Sequence, residues 1–307
     1  MRVLAHIHTF NDVNIIDQTI ESVLKQTRPV DALLVVDNAS SDGTLDRPSL
    51  KHATVIRHQK NQGTSGAIAA GMRYALEHNY DWIWVFDADS MPEPDALEKL
   101  LDLYASFPKA QQDEIGFLAC LPLNFDGTLF FPGAVFCSYG VTRSWPVPNQ
   151  PHYRCEFTTW SGCLYRLAAV RVVGVPNPDY VLDWGETEYA YRMMKGRFQG
   201  FIHQGAILHH NTRGYASRAP VKIKRGDETV TVYDYPPIRV YYSSRNIFYF
   251  WLYDFKEGRL LPVSRAVIGR AVLILRLMLK PRNRIAALGA CLRGIWHGVT
   301  GNIAARY

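Results

Sequence analysis

No two cysteines in this 307-residue chain stand at C-x-x-C spacing, and no group of Cys and His has the intervals of a zinc ligand set. The five cysteines (Cys120, Cys137, Cys155, Cys163, Cys291) are scattered, which argues against a structural zinc site and predicts reduced thiols in a cytosolic compartment. No apolar run reaches the roughly 20 residues that a membrane span needs. The longest, AVIGRAVLILRLMLK, is broken by Arg270 and Arg276. The chain goes straight into a strand pattern, RVLAHIHTF, so no signal peptide is expected. Repeats and low-complexity tracts are lacking, and no RNA- or DNA-reading motif occurs, so nucleic acid is not an expected partner.

What is there is globular in character, with 48% hydrophobic and 20% charged residues, enough to bury one large core or two smaller ones. The formal charge of +6 is unevenly placed, because from Arg245 onward basic residues greatly outnumber Asp254 and Glu257. Such a tail suits an anionic membrane surface, a phosphate-bearing substrate, or simply a solvated helical face.

Val3 to His8 reads as a first strand, followed by a helix capped by Asn11 or Asp12, with Ile15, Ile16, Ile20, Val23 and Leu24 on one face. Ala32 to Val36 is a second buried strand, a short third follows in ATVIRH, and Trp82 to Phe86 is a fourth without polar alternation. The order β-α-β-α-β-α-β predicts a parallel, doubly wound sheet. A helix to about Phe107, a strand IGFLAC, an irregular stretch from Leu121 to Tyr153, and further strand and helix patterns complete the chain. Its last seventy residues read as amphipathic helices.

Three strands end in polar groups at one edge: His8-Thr9-Phe10-Asn11, Asp37-Asn38 and Asp87-Ala88-Asp89. Ligands of open α/β sheets bind outside the carboxyl ends of the strands. An acid after the second strand can bond a ribose or base, and the pair after the fourth can hold a cation at phosphates or merely cap a turn. Gly63, Gly66 and Gly71 fit neither the dinucleotide fingerprint nor the phosphate loop. That turn either approaches an anion or closes a tight connection.

The segments VVDNASSDGT, NQGTSGAIAAGMRYA, FDADSMPEPDAL, WSGCLYR, DWGETEYAYR and AILHH stand in the order of one family. Over roughly residues 1 to 215 the chain resembles the inverting, GT-A-fold glycosyltransferases of family 2, in their rhamnosyltransferase and galactofuranosyltransferase branch. YYSSRNIFYF and GIWHGVTGN also look like that branch. The resemblance implies a Rossmann-like, mostly parallel sheet with helices on both faces, plus a helical amphipathic carboxy-terminal region. It divides the chain into a glycosyltransferase domain over 1–235, with a nucleotide-binding half (1–120) and an acceptor half (121–235), and a helical region over 236–307.

By the same resemblance Thr9, Asn11, Asp37 and Asn38 line the nucleotide, and Asp89 ligates Mg²⁺ or Mn²⁺. Asp87 faces the ribose or the metal, and His209 or His210 is the third ligand, with AILH favouring His209. Glu186 stands at the position of the general base, and Gly185 replaces the acid that the family carries just before it. Trp160, Asp183, Trp184 and Glu188 are placed on the substrate side, with Glu188 and Arg192 also spaced as an ordinary helix pair. The implied partners are a dTDP- or UDP-linked sugar and a saccharide or lipid-linked acceptor, and the basic, apolar tail over Val263 to Leu279 adds an anionic membrane surface as a further expected partner. The expected location is cytoplasmic, either free or peripheral on the inner face of the cell membrane. A catalytically silent sugar-nucleotide-binding scaffold is the competing expectation, suggested by Gly185.

Overall fold

In the computed structural model the described residues are 1–210, 221–225, 228–232, 235–255, 258, 260–278 and 283–307. Two compact units divide the chain: 1–136 with 141–178 and 186–211, and 137–140 with 179–185 and 212–307.

In the first unit the order begins β1 (Val3–Thr9), α1 (Ile16–Leu24), β2 (Ala32–Asp37), β3 (Thr54–Arg57), α2 (Gly63–Glu77), β4 (Trp82–Asp87), β5 (Ser90–Pro92) and α3 (Ala96–Ser106). It continues with α4 (Lys109–Glu114), β6 (Ile115–Asn124), β7 (Ala134–Cys137), β8 (Gly140–Arg143), β9 (His152–Cys155), β10 (Cys163–Arg166), α5 (Leu167–Val173), α6 (Gly185–Lys195) and β11 (Gln199–His210). The central sheet runs β3-β2-β1-β4-β10-β6-β11-β5, with β9 on β11. Its first four strands are parallel, and β10 inserts antiparallel between β4 and β6.

Strand alternation makes two cores. Val3, Ala5, Ile7, Trp82, Trp84 and Phe86 face α1 and α3 on one side. Leu4, Leu34, Val36, Ile83 and Val85 face α2, α5 and α6 on the other. Apolar residues on both faces of these strands, interrupted in β1 by the buried His6, are what burial on both faces requires.

Two local expectations change. The helix implied between the second and third strands is replaced by 3₁₀ turns at Thr44–Asp46 and Pro48–His52, where Pro48 fixes the chain at the start of a turn too short for an α-helix. The first helix starts at Ile16 without a side-chain cap, because the Asp12 carboxylate is taken by Thr9 Oγ1 at 2.8 Å and the Phe10 N–H at 2.9 Å.

The second unit carries β12 (Val221–Arg225), β13 (Glu228–Val232), α7 (Pro237–Tyr249), α8 (Leu260–Met278) and α9 (Arg284–Val299). Helices α7 and α9 cross with backbones in contact. A Cβ built on Gly294 would lie 2.4 Å from the Tyr241 carbonyl oxygen, and one on Gly298 would lie 2.4 Å from that of Arg245. Tyr241 Oη and His297 Nδ1 are 2.7 Å apart. The fully buried Arg245 donates to the carbonyls of Asp179 and Ala305. The two carboxy-terminal sequence motifs are therefore the two halves of one helix crossing.

Candidate active site

Parallel register sets the last residues of β1, β2 and β4 side by side, with Thr9 opposite Asp37 and His8 opposite Asp87. His8 Nε2 lies 2.8 Å from Asp87 Oδ1, and the Asp87 N–H donates to Ser161 Oγ at 3.1 Å. The three-residue β5 immediately follows Asp89 and pairs with the end of β11, so that His210 stands opposite Ser90. Ser90 Oγ is 2.7 Å from His210 Nδ1, which lies 3.9 Å from Asp89 Oδ1. Asp87, Asp89 and His210 each bring one ligand atom, all within 4.8 Å of one another.

The electrostatics of this group call for a cation. Burial, then the charges of Asp87 and Asp12, push Asp89 up to about 8. Burial works on Asp87 in the same sense, but the hydrogen bond and charge of His8, with the charges of His210 and His6, hold it below the usual carboxylate range. Burial lowers His210, which keeps its ring available as a neutral ligand. Two carboxylates and one imidazole form an oxygen-and-nitrogen donor set that fits Mn²⁺ or Mg²⁺.

The histidine at this cluster is His210, one residue beyond the expected His209. His209 Nε2 instead faces Glu93 Oε1 at 2.6 Å. The reason is a bulge. His203 pairs with Cys120 while Ile207 pairs with Leu121, so three residues of β11 have no counterpart on β6. An odd insertion exchanges the two faces of every residue that follows.

On the nucleotide side Asp37 is fully buried, accepts the Ser40 N–H at 3.1 Å and lies 3.5 Å from Arg57 Nε. Asn38 donates to the Gly63 carbonyl at 3.2 Å and accepts the Gln62 N–H at 3.2 Å, fastening the glycine turn to the end of β2. Asn11 ties the loops after β1 and β2, its N–H bonded to Ser40 Oγ at 2.8 Å and its Oδ1 to the Ser41 N–H at 2.9 Å. Of the three glycines, Gly71 has a clear packing role. A Cβ there would sit 2.5 Å from Nδ1 of the buried His6.

Glu186 is half-buried on the first turn of α6. Glu188 is nearly buried and takes both Nε and an Nη of Arg192, which also donates to the carbonyls of Val173 at 2.7 Å and Val175 at 3.0 Å. That pair fastens α6 to the end of α5. Trp160 is only 6% exposed and packs against Tyr165 and Tyr189 in the core. Asp183 and Trp184 belong to the second unit. Both have left-handed backbones (φ 58° and 67°). Asp183 pairs with Arg239 at 2.6 Å, Asn246 Nδ2 donates to the carbonyls of Leu182 and Asp183, and the Trp184 ring lies beside Phe250 and Trp251. Two consecutive non-glycine residues in that region are held against a cost of about 1–3 kcal/mol each.

The site also contains residues outside the expected set: His8, Asp12, Ser90 and Ser161. His8 and Asp12 flank the polar strand end in sequence. Ser90 and Ser161 lie inside the segments FDADSMPEPDAL and WSGCLYR, but their roles depend on β5 and β10 joining the sheet.

Residues 5–112 match the family described as Glycosyl transferase family 2. Over 107 residues, 33% of this chain, it is 36% identical to the undecaprenyl-phosphate mannosyltransferase of Micrococcus luteus and covers 44% of that protein. Over 92 residues, 29% of this chain, it is 30% identical to the galactofuranosyltransferase GlfT1 of Mycolicibacterium smegmatis and covers 30% of it. The matches thus span less than half the length of either relative. The structure superposes on the mannosyltransferase PcManGT from Pyrobaculum calidifontis, solved in complex with GDP-Man and Mn²⁺, with a TM-score of 0.55. That alignment covers 97% of this chain and 86% of the other at 14% identity. The fold is accordingly GT-A, and the family 2 match covers about the amino-terminal third of the chain.

Proposed function

We propose that this chain is a metal-dependent, inverting glycosyltransferase that moves a sugar from a nucleoside diphosphate to a hydroxyl of a saccharide or lipid-linked acceptor. The observation that carries this reading is the Asp87, Asp89 and His210 cluster at the carboxyl end of the sheet. These three residues would hold Mn²⁺ or Mg²⁺, which when bound neutralises charge on the departing diphosphate. Thr9, Asn11, Asp37 and Asn38 form the nucleotide end of the cleft, with His8 and Ser161 orienting Asp87. Glu186 accepts the proton of the acceptor hydroxyl as it attacks the anomeric carbon, and a single base of this kind gives inversion. Binding both substrates in line supplies much of the remaining barrier reduction.

Rhamnose and galactofuranose are the favoured donor sugars, the latter in keeping with the galactofuranosyltransferase relative. The mannosyltransferase relative and structural neighbour add GDP-mannose as a third donor to test. Gly185, where the family pattern that the chain resembles has an acid, favours a second reading as a silent sugar-nucleotide binder.

The test is a panel of dTDP-, UDP- and GDP-sugars with Mn²⁺ or Mg²⁺ and candidate saccharide acceptors, scored for released nucleoside diphosphate and for thermal stabilisation. Turnover with one donor, cut by about 10²- to 10⁴-fold in Glu186→Gln while donor binding survives, supports transfer with Glu186 as base. Stabilisation without turnover for any donor supports the silent binder.

A further inference from the structure

Within the second unit, helix α8 carries a face that the described residues leave exposed. Leu261, Val267, Ile268, Val272, Leu275 and Met278 are 42–64% exposed. At 3.6 residues per turn they occupy one sector of about 140°. The opposite side, with Pro262, Ala266 and Leu277, is buried. Arg265 and Arg276 lie at the border between the two faces, and Arg265 is anchored there by donating to the Tyr139 carbonyl at 3.2 Å.

Helix α9 repeats the arrangement. Ile285, Leu292, Trp296 and Val299 are 45–81% exposed and recur at spacings of seven, four and three residues, so they form one stripe. Ala287, Ala290, Cys291, Gly294 and Gly298 on its other side are buried. A solvated helix carries charge on its outer face, whereas these two carry Leu, Ile, Val, Met and Trp. Apolar surface of this extent on a soluble domain marks a docking site.

From Gly258 to Tyr307 the sequence has nine basic residues and no acidic one. A second copy of the chain would bring this charge against itself, which opposes self-association. A negatively charged partner is favoured instead. Among the described residues no helix is long and apolar enough to cross a membrane.

We infer that the exposed faces of α8 and α9 dock the protein in the plane of an anionic phospholipid bilayer. Leucine, isoleucine and tryptophan enter the headgroup boundary, and the bordering arginines meet lipid phosphates. Trp296 has the amphipathic ring suited to that depth. This inference is independent of the transfer chemistry.

The experiment is flotation of the full chain with vesicles of phosphatidylcholine alone or with about 30% phosphatidylglycerol, at low and at physiological salt. Binding is expected to the anionic vesicles only, weakening as salt rises. Ile268→Asp/Leu275→Asp should lower the bound fraction by about tenfold or more at an unchanged thermal midpoint. Arg276→Glu, which leaves the apolar face intact, should lower it by about fivefold. Failure to float with anionic vesicles would overturn the inference. So would a dimer in sedimentation velocity that the double aspartate variant dissolves, since the faces would then be covered by a second copy.

Discussion

The ring of His8 and the carboxylate of Asp87 face each other across two parallel strands, Nε2 2.8 Å from Oδ1, at the point where the sheet meets its ligand crevice. A carboxylate ligand oriented by an imidazole is the outer-shell arrangement on which metal affinity depends. His8→Ala should therefore weaken Mn²⁺ binding by about 10- to 100-fold without unfolding the protein. Manganese titration by electron paramagnetic resonance reads this directly, and an unchanged affinity would remove His8 from the site.

His209 and His210 are neighbours with separate roles. His210→Ala should reduce Mn²⁺ affinity by at least about tenfold, because it removes a donor from the cluster, while His209→Ala loses contacts with Glu93 and the Phe125 ring outside the cluster and should stay within about threefold of wild type. The reverse order in a calorimetric titration would restore His209 as the ligand.

Helix α9 offers two glycine substitutions of opposite sign. A Cβ at Gly298 would strike the Arg245 carbonyl, whereas nothing lies within 4 Å of one at Gly289. Gly298→Ala should destabilise by about 1–3 kcal/mol, the cost of forcing the helices apart outweighing any gain in helix propensity. Gly289→Ala should stabilise by up to about 1 kcal/mol. Thermal midpoints of the two variants against wild type decide it.

Burial holds His6 well below the ordinary histidine value of 6.5, and neither ring nitrogen has a hydrogen-bond partner. The folded chain keeps this ring neutral while the unfolded chain takes up a proton below about pH 6.5, so its contribution is complete above that pH and is lost as pH falls. The loss approaches about 1.4 kcal/mol per pH unit. His6→Leu should flatten the acid limb of stability by up to that slope. Urea unfolding at several pH values between neutrality and pH 5 measures it, and parallel curves for the two proteins would contradict it.

Much of this arrangement is readable in the chain. Residues such as Val3, Leu4, Trp82 and Ile83 are apolar on both strand faces, which specifies buried parallel strands, and Asp37, Asp87 and Asp89 follow at their carboxyl ends. What is not readable depends on contacts between distant segments. The antiparallel β10 and the short β5 gain their places from partners far along the chain, so the roles of Ser161 and Ser90 cannot be read from the segments that contain them. Which of two adjacent histidines faces the acids is decided by a three-residue bulge upstream, which sequence alternation cannot register. Trp160 resembles a sugar-stacking residue by type, but in the fold it is a core ring beside Tyr165 and Tyr189.

The central claim is that Asp87, Asp89 and His210 hold a divalent cation that anchors a nucleoside diphosphate. Calorimetric titration of UDP, dTDP and GDP into the whole protein, with Mn²⁺ and after chelation, in wild type and Asp89→Ala, tests it most directly. The account predicts that one nucleotide binds wild type with Mn²⁺, and that chelation or Asp89→Ala weakens that binding by at least about 10-fold. Equal nucleotide affinity with and without Mn²⁺, unchanged in Asp89→Ala, would contradict it.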